Sequence, residues 1–335
     1  MGEPKFLVVR LGSLGDIVHA FPAVAALKQT FSNGKIVWLT NPRWRGLVTS
    51  GGIANEIWEA DTRSFGSVRE IRRKMRAEKF SIAIDYQGLW KSAALPVLGR
   101  VPRRIGFSSE SVREFGVPLL YTERVRARSA HVVDMNGELS ICAGASKPTA
   151  DFSLAVSEGA KATVRGMLKS NRIEGYVVLS PGGGWVSKCW PAERYGALAA
   201  RLQSESGVRC VVNYGPGEKA LAEHVVAASG SAAPVSYSGT LGELMALLRG
   251  ARCVVAGDTG PMHLADALGA KVVAIFGPTD PMRNGPYLGR PTGTAAVLRA
   301  EGVESTYKRA DKAHPSLLQI GVDQVFEAVC RLEAR

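Results

Sequence analysis

The chain predicts an α/β protein built from two doubly wound units with parallel sheets. Three observations carry this. Short apolar, β-branched runs alternate with longer stretches of helical periodicity, as βαβ units require. The alternation occurs twice, once in each half. With 335 residues, 46% of them hydrophobic and 21% charged, the chain is long and apolar enough for about two cores.

In the first half, Phe6-Leu-Val-Val9, Ile36-Val-Trp-Leu39 and Ser81-Ile-Ala-Ile-Asp85 read as strands, and 17–28 and 68–78 as helices. In the second half the strands are Tyr176-Val-Val-Leu179, Val208-Arg-Cys-Val-Val212, Cys253-Val-Val255 and Val272-Val-Ala-Ile275. Helices fill 192–205, 217–228, 241–249 and 261–268, and a last one, 316–333, closes the chain. The stretch 145–172, with Pro148, Ser153 and Ser157, reads as a hinge with a helix-like segment after it. The expected domains are residues 1–155 and 170–315, both Rossmann-like, with 316–335 a C-terminal helix expected to pack back on the first domain.

The formal charge is +12, from 42 Lys+Arg against 30 Asp+Glu. Such an excess suits nucleic acid, an anionic membrane surface or a small acidic substrate. No basic–aromatic interleaving or recognisable module supports nucleic acid, so that partner is set aside. No apolar run approaches the roughly 20 residues that span a bilayer. The N-terminus carries no basic-then-apolar leader, which points to the cytoplasm. Cys142, Cys189, Cys210, Cys253 and Cys330 are scattered and form no Cys-x-x-Cys pair, so neither disulfides nor zinc are expected. The densest basic cluster, Arg69, Arg72, Arg73, Lys74 and Arg76, lies on one expected helix beside Glu70 and Glu78. It reads either as a solvated face or as an anion-facing one.

Three loops carry the candidate chemistry. The first strand leads into Leu11-Gly12-Ser13-Leu14-Gly15-Asp16. This loop follows neither the dinucleotide glycine spacing nor the phosphate loop of nucleoside triphosphatases. It places a carboxylate, Asp16, at the first helical turn, where an acid also serves simply as a cap. In the second half, Ser180-Pro-Gly-Gly-Gly184 precedes Trp185-Val-Ser-Lys188. Successive glycines permit close backbone approach to a ligand, and Lys188 offers a compact charge suited to phosphate. Downstream, Asp258-Thr-Gly-Pro-Met-His263 opens a helix whose first amides, at Thr259 and Gly260, form a cradle for a diphosphate. Gly277-Pro-Thr-Asp-Pro281 lies on the same side of the sheet, where open parallel sheets bind ligands.

Together, Arg10-Leu-Gly-Ser-Leu-Gly-Asp16-Ile-Val-His19, Asp85-Tyr-Gln-Gly-Leu-Trp-Lys-Ser92, Trp185-Val-Ser-Lys-Cys-Trp-Pro191, Asp258-Thr-Gly-Pro-Met-His263 and Phe276-Gly-Pro-Thr-Asp-Pro281 resemble the ADP-heptose:lipopolysaccharide heptosyltransferases of glycosyltransferase family 9. The segment Asp85–Ser92 is more like type I than type II. The resemblance implies the GT-B architecture, two Rossmann-like domains with parallel sheets facing a central cleft, acceptor on the first and sugar nucleotide on the second. It implies inverting transfer of heptose from ADP-heptose to the Kdo region of the lipopolysaccharide inner core. Asp16 would take the acceptor proton and Lys188, with the 259–260 amides, would meet the leaving diphosphate. These two residues lie in different domains, so the resemblance implies closure of the cleft.

Also by resemblance, Asp258 and Glu218 would hold donor hydroxyls and His263 a phosphate, with Gly183, Gly184, Ser187, Thr259 and Gly260 around them. Gly183 and Gly184 stand where family members often carry hydroxyl side chains, leaving backbone amides and Ser187 for those contacts. Gly12, Ser13, Gly15, Arg63, Gln87 and Lys91 would face a Kdo-lipid A acceptor. No metal or other cofactor is expected. The protein would be a monomer, cytoplasmic and attached peripherally to the anionic inner leaflet, where the charge excess would make attachment salt-sensitive. Type II transfer, transfer to another acceptor, and non-catalytic binding of nucleotide sugar or glycolipid are the alternatives.

Overall fold

The sequence folds, in a computed structural model that describes residues 3–112 and 114–334, around two separate six-stranded sheets, every strand pair parallel. One unit runs to Ala155 and the other begins at Val156. The first sheet contains β1 (Lys5–Val9), β2 (Lys35–Thr40), β3 (Glu56–Glu59), β4 (Ile82–Asp85), β5 (Arg103–Phe107) and β6 (Glu123–Val125). The second contains β7 (Tyr176–Ser180), β8 (Arg209–Asn213), β9 (Val235–Tyr237), β10 (Cys253–Gly257), β11 (Val272–Phe276) and β12 (Ala295–Arg299).

Their orders are β3-β2-β1-β4-β5-β6 and β12-β11-β10-β7-β8-β9. Both are the doubly wound order, in which the chain reverses direction across the sheet between the first and fourth strands of the unit. The switch points lie between β1 and β4 and between β7 and β10. Leu7 pairs with Val37 and Ala83, and Val254 with Val178 and Val272, so the central strands are fully buried. That burial on both faces explains their unbroken apolar sequence. The Rossmann-like expectation is met in each unit.

Some elements differ from the sequence reading. The helix expected over 17–28 is two, Leu14–Val18 and Phe21–Thr30, because Pro22 cannot donate into the preceding turn. The last helix is likewise divided into Pro315–Leu318 and Val322–Glu333, with Gly321 capping the second. Val325, Phe326, Val329 and Leu332 of that helix enter the core of the second unit, with Val255 and Val273. The hinge stretch contains the helix Glu158–Ser170, begun by Ser157, whose hydroxyl accepts the Ala160 amide. No described helix is long and apolar enough to cross a membrane, and the five cysteines are free.

The loop after β4 is organised by a buried carboxylate. Asp85 accepts from the Tyr121 hydroxyl at 2.8 Å, the Ser92 hydroxyl at 2.9 Å and the Gln87 amide at 2.9 Å. Burial pushes its carboxyl up, against the pull of those donors. Tyr121 is thereby tied to the switch point. Removing its hydroxyl leaves a buried acceptor one donor short, so Tyr121→Phe is expected to cost about 1–3 kcal/mol, read as a lower midpoint in urea unfolding with unchanged slope.

Candidate active site

In the first unit the site is built on the last residue before the glycine loop. Arg10 is buried where β1 ends, and its guanidinium donates to the Tyr86 carbonyl beyond β4. The same group pairs with Asp16, Nη2 to Oδ1 at 2.7 Å. The other carboxylate oxygen accepts the Ser13 amide at 3.0 Å and the Ser13 hydroxyl at 3.1 Å. Asp16 is thus fixed from both oxygens while its side chain stays 45% exposed. An acid at the third helical position reaching back to the cap amide is also the arrangement of a capping box. The cap reading and the functional reading therefore describe one geometry.

The remaining first-unit candidates divide. Gln87 turns its side-chain oxygen to the Leu11 amide at 2.8 Å and so braces the loop that carries Asp16. Gly12 lies against the Trp44 indole, where a Cβ would fall 2.8 Å from Nε1. Gly15 is buried inside the short helix. Arg63 is exposed and forks onto Asp61 at 3.1 and 3.3 Å. Lys91 is exposed at the first turn of the helix Trp90–Leu98.

In the second unit the loops after β7 and β10 meet. Lys188 Nζ lies 2.6 Å from Asp258 Oδ2 and sits over the Trp185 ring, 4.4 Å from its centroid. His263 Nε2 lies 3.3 Å from the other oxygen, Oδ1. Burial alone would raise the Asp258 carboxyl, but His263 and Lys188 outweigh it and hold the group well below the usual carboxylate range. Asp258 therefore spends both oxygens on orienting a lysine and a histidine. The resemblance expects Asp258 to hold donor hydroxyls; within the chain it holds these two side chains.

Around this cluster, Gly183 packs so closely on Thr259 that a Cβ would fall 2.9 Å from its methyl carbon. The glycine thus lets the two loops touch, and Gly184 beside it is open. Thr259 caps the helix Gly260–Ala267, whose first amides have no partner within the helix. The hydroxyls of Ser187, Thr259 and Thr279 are buried without a hydrogen-bond partner. They stand after β7, β10 and β11, three adjacent strands. Buried donors of this kind call for an acceptor, and a ligand rich in anionic oxygens supplies several. Glu218 lies against Gly182 and accepts the Gly215 amide at 2.8 Å, bridging the ends of β7 and β8. Cys189, beside Lys188, is pushed up to about 11 by burial and by Glu218, which keeps it neutral and out of nucleophilic chemistry.

Sequence reasoning gave no role to Arg10, Asp85 or Thr279. A lone arginine ending an apolar strand just before a glycine loop was the available signal for Arg10. Thr279 stood in a loop already placed on the right side of the sheet. Among the described residues, no group of three His, Cys, Asp or Glu side chains is placed to hold a metal.

Residues 68–312 match glycosyltransferase family 9 (heptosyltransferase), and the chain belongs to that family. Lipopolysaccharide heptosyltransferase 1 of Pseudomonas aeruginosa is 29% identical over 84% of this chain and 81% of its own. Lipopolysaccharide heptosyltransferase 2 of Salmonella typhimurium is 25% identical over 96% and 97%. Among solved structures, the E. coli heptosyltransferase WaaC with ADP-2-deoxy-2-fluoro heptose superposes with a TM-score of 0.74 at 25% identity, covering 98% of this chain and 99% of its own. The protein is a glycosyltransferase.

Asp258→Asn removes the partner of two side chains that are themselves largely buried, and the expected loss is about 3–5 kcal/mol at neutral pH. Because the folded carboxyl is depressed, its contribution is present above the unfolded value of about 4 and is lost as pH falls toward the folded one. Guanidinium unfolding at neutral pH and at about pH 3 should show the gap between wild type and variant closing in acid.

Proposed function

We propose that this family 9 glycosyltransferase moves heptose from ADP-heptose to the Kdo region of the lipopolysaccharide inner core, inverting the anomeric centre, as a type I enzyme. The observation that carries the reading is the division of chemistry between the two switch points. One holds a braced, half-exposed carboxylate; the other holds an oriented cation on loops that also carry unpartnered hydroxyls and helix amides. The relatives' names supply the sugar nucleotide and the lipopolysaccharide, and the likeness of Asp85–Ser92 favours type I over type II.

In the proposed reaction the acceptor hydroxyl oxygen attacks the anomeric carbon and its proton passes to Asp16. The bond from that carbon to the β-phosphate oxygen breaks, and ADP leaves with the electron pair. A diphosphate is already a stable anion, so no second carboxylic acid need protonate it. It does need positive charge as the bond breaks. Lys188, the Thr259 and Gly260 amides and the hydroxyls of Ser187 and Thr259 would provide that, in surroundings where fixed dipoles are strong. Asp258 would act by positioning Lys188 and His263, and Glu218 by facing the donor's ribose or sugar hydroxyls. Gln87 and Arg10 would keep the Asp16 loop in place, with Arg63 and Lys91 meeting acidic groups of a Kdo-lipid A acceptor. The reading includes a metal-independent monomer working in the cytoplasm, peripherally on the inner membrane leaflet.

Asp16→Asn is the direct test. Loss of a general base is expected to lower kcat by about 10²- to 10⁴-fold. Arg10 loses its charged partner in this variant but keeps the Tyr86 carbonyl, so transfer is measured where the variant remains folded, and retained ADP binding reports an intact second unit. Transfer at near the wild-type rate would overturn the assignment. Turnover of Kdo-lipid A is expected; turnover only of an acceptor already carrying one heptose would make the enzyme type II.

A further inference from the structure

The helix Trp90–Leu98 in the first unit presents an apolar stripe to solvent. Trp90 and Val97, seven residues apart and so on one helical face, are 45% and 38% exposed. The stripe continues off the helix. The Trp90 indole donates to the Phe115 carbonyl at 3.1 Å, and Gly116, at φ +80°, lets the ring lie on its backbone. Phe115 is 98% exposed and Leu119, in the following turn, 73%. Scattered apolar residues on a surface are ordinary, but an aromatic pair continuous with an aliphatic helix face is a patch.

Cations rim this patch at both ends. Arg124 donates Nε to the Pro118 carbonyl at 2.9 Å and Arg104 to the Leu120 carbonyl at 2.8 Å, which seats both beside Leu119. Lys91 is exposed next to Trp90. At the far end Arg76 donates to the Leu98 carbonyl at 3.1 Å. The Arg76 guanidinium is held below its ordinary value by burial and by the charges of Arg72 and Arg100, which shows positive charge crowded there. The whole unit to Ala155 carries 22 Lys+Arg against 14 Asp+Glu, a net +8 of the chain's +12.

We propose that the Trp90–Val97–Phe115–Leu119 face is a docking surface for an anionic lipid bilayer. Aromatic and aliphatic side chains enter the interfacial zone, and the arginines and Lys91 meet lipid phosphates. Charge complementarity selects this occupant: the cations at the two ends outnumber the carboxylate on the patch, Glu114, which accepts the Trp90 amide at 2.7 Å, and an anionic leaflet attracts each of them. The inference rests on the reading that the acceptor is lipid-anchored, and it gives that reading a place of contact distinct from Asp16 and Lys188.

The test is sedimentation of the full-length protein with vesicles of phosphatidylcholine alone or mixed with phosphatidylglycerol. Wild type should bind the mixed vesicles and release them as salt rises. Phe115→Asp combined with Leu119→Asp should weaken that binding by about tenfold or more, while Tm and transfer to a water-soluble, deacylated acceptor stay unchanged. Equal vesicle binding by the variant, or wild-type binding indifferent to phosphatidylglycerol, would overturn the docking surface. So would a wild-type dimer that the two substitutions convert to monomer, since the face would then join two copies of the chain. Vesicle binding as expected without transfer to any heptose acceptor would leave the docking surface standing and overturn the transferase reading instead.

Discussion

Each unit depends on one topological constraint, the reversal of strand order at its centre. Where β1 and β4 lie side by side their connections depart in opposite directions, which leaves a crevice between the loops at the carboxyl ends of the two strands. The same holds for β7 and β10. Charged side chains reach across the gap in both units. Arg10 reaches from the end of β1 to the Tyr86 carbonyl after β4. Lys188, from the loop after β7, reaches Asp258 after β10. In the first unit a hydrogen bond from a buried arginine stitches the switch point, and in the second an ion pair does; Asp16, paired to that arginine, and Lys188 are the candidates for chemistry.

The two stitches differ in how they hold charge. Asp16 is half-exposed against a buried arginine, an arrangement that leaves the carboxylate available to a substrate. Asp258 is 3% exposed and holds Lys188 with one oxygen and His263 with the other. A buried charge is tolerated only when paired and hydrogen-bonded, which is why the carboxylate that looks more striking in sequence, inside Asp-Thr-Gly, is the less accessible one.

The central strands were readable because burial on both faces demands continuous apolar residues, as in Val272-Val-Ala-Ile275. The strands toward the edges were not. β3 is Glu-Ile-Trp-Glu, β6 is Glu-Arg-Val and β9 is Val-Ser-Tyr; short and partly solvated, they carry no run to recognise. Pro22 stands inside a strongly apolar run whose periodicity continues across it, while its missing amide divides the helix. At the site, types and spacing pointed to Asp16, Lys188 and Asp258, because loops after parallel strands converge. That Lys188 and Asp258 bond to each other across 70 positions is a tertiary fact, and no local pattern encodes it.

The loop bearing Ser187 and Lys188 is also held by the far end of the chain. The Ser187 carbonyl accepts the His314 amide at 3.2 Å. Trp190 and Arg194, just beyond the loop, donate to the carbonyls of Leu317, Leu318 and Ile320. The indole bond of Trp190 joins residues 130 positions apart. At a synthesis rate of about 5–20 residues per second, the loop emerges from the ribosome many seconds before its brace exists. The loop that carries Lys188 is therefore braced only after residues 314–320 have been made.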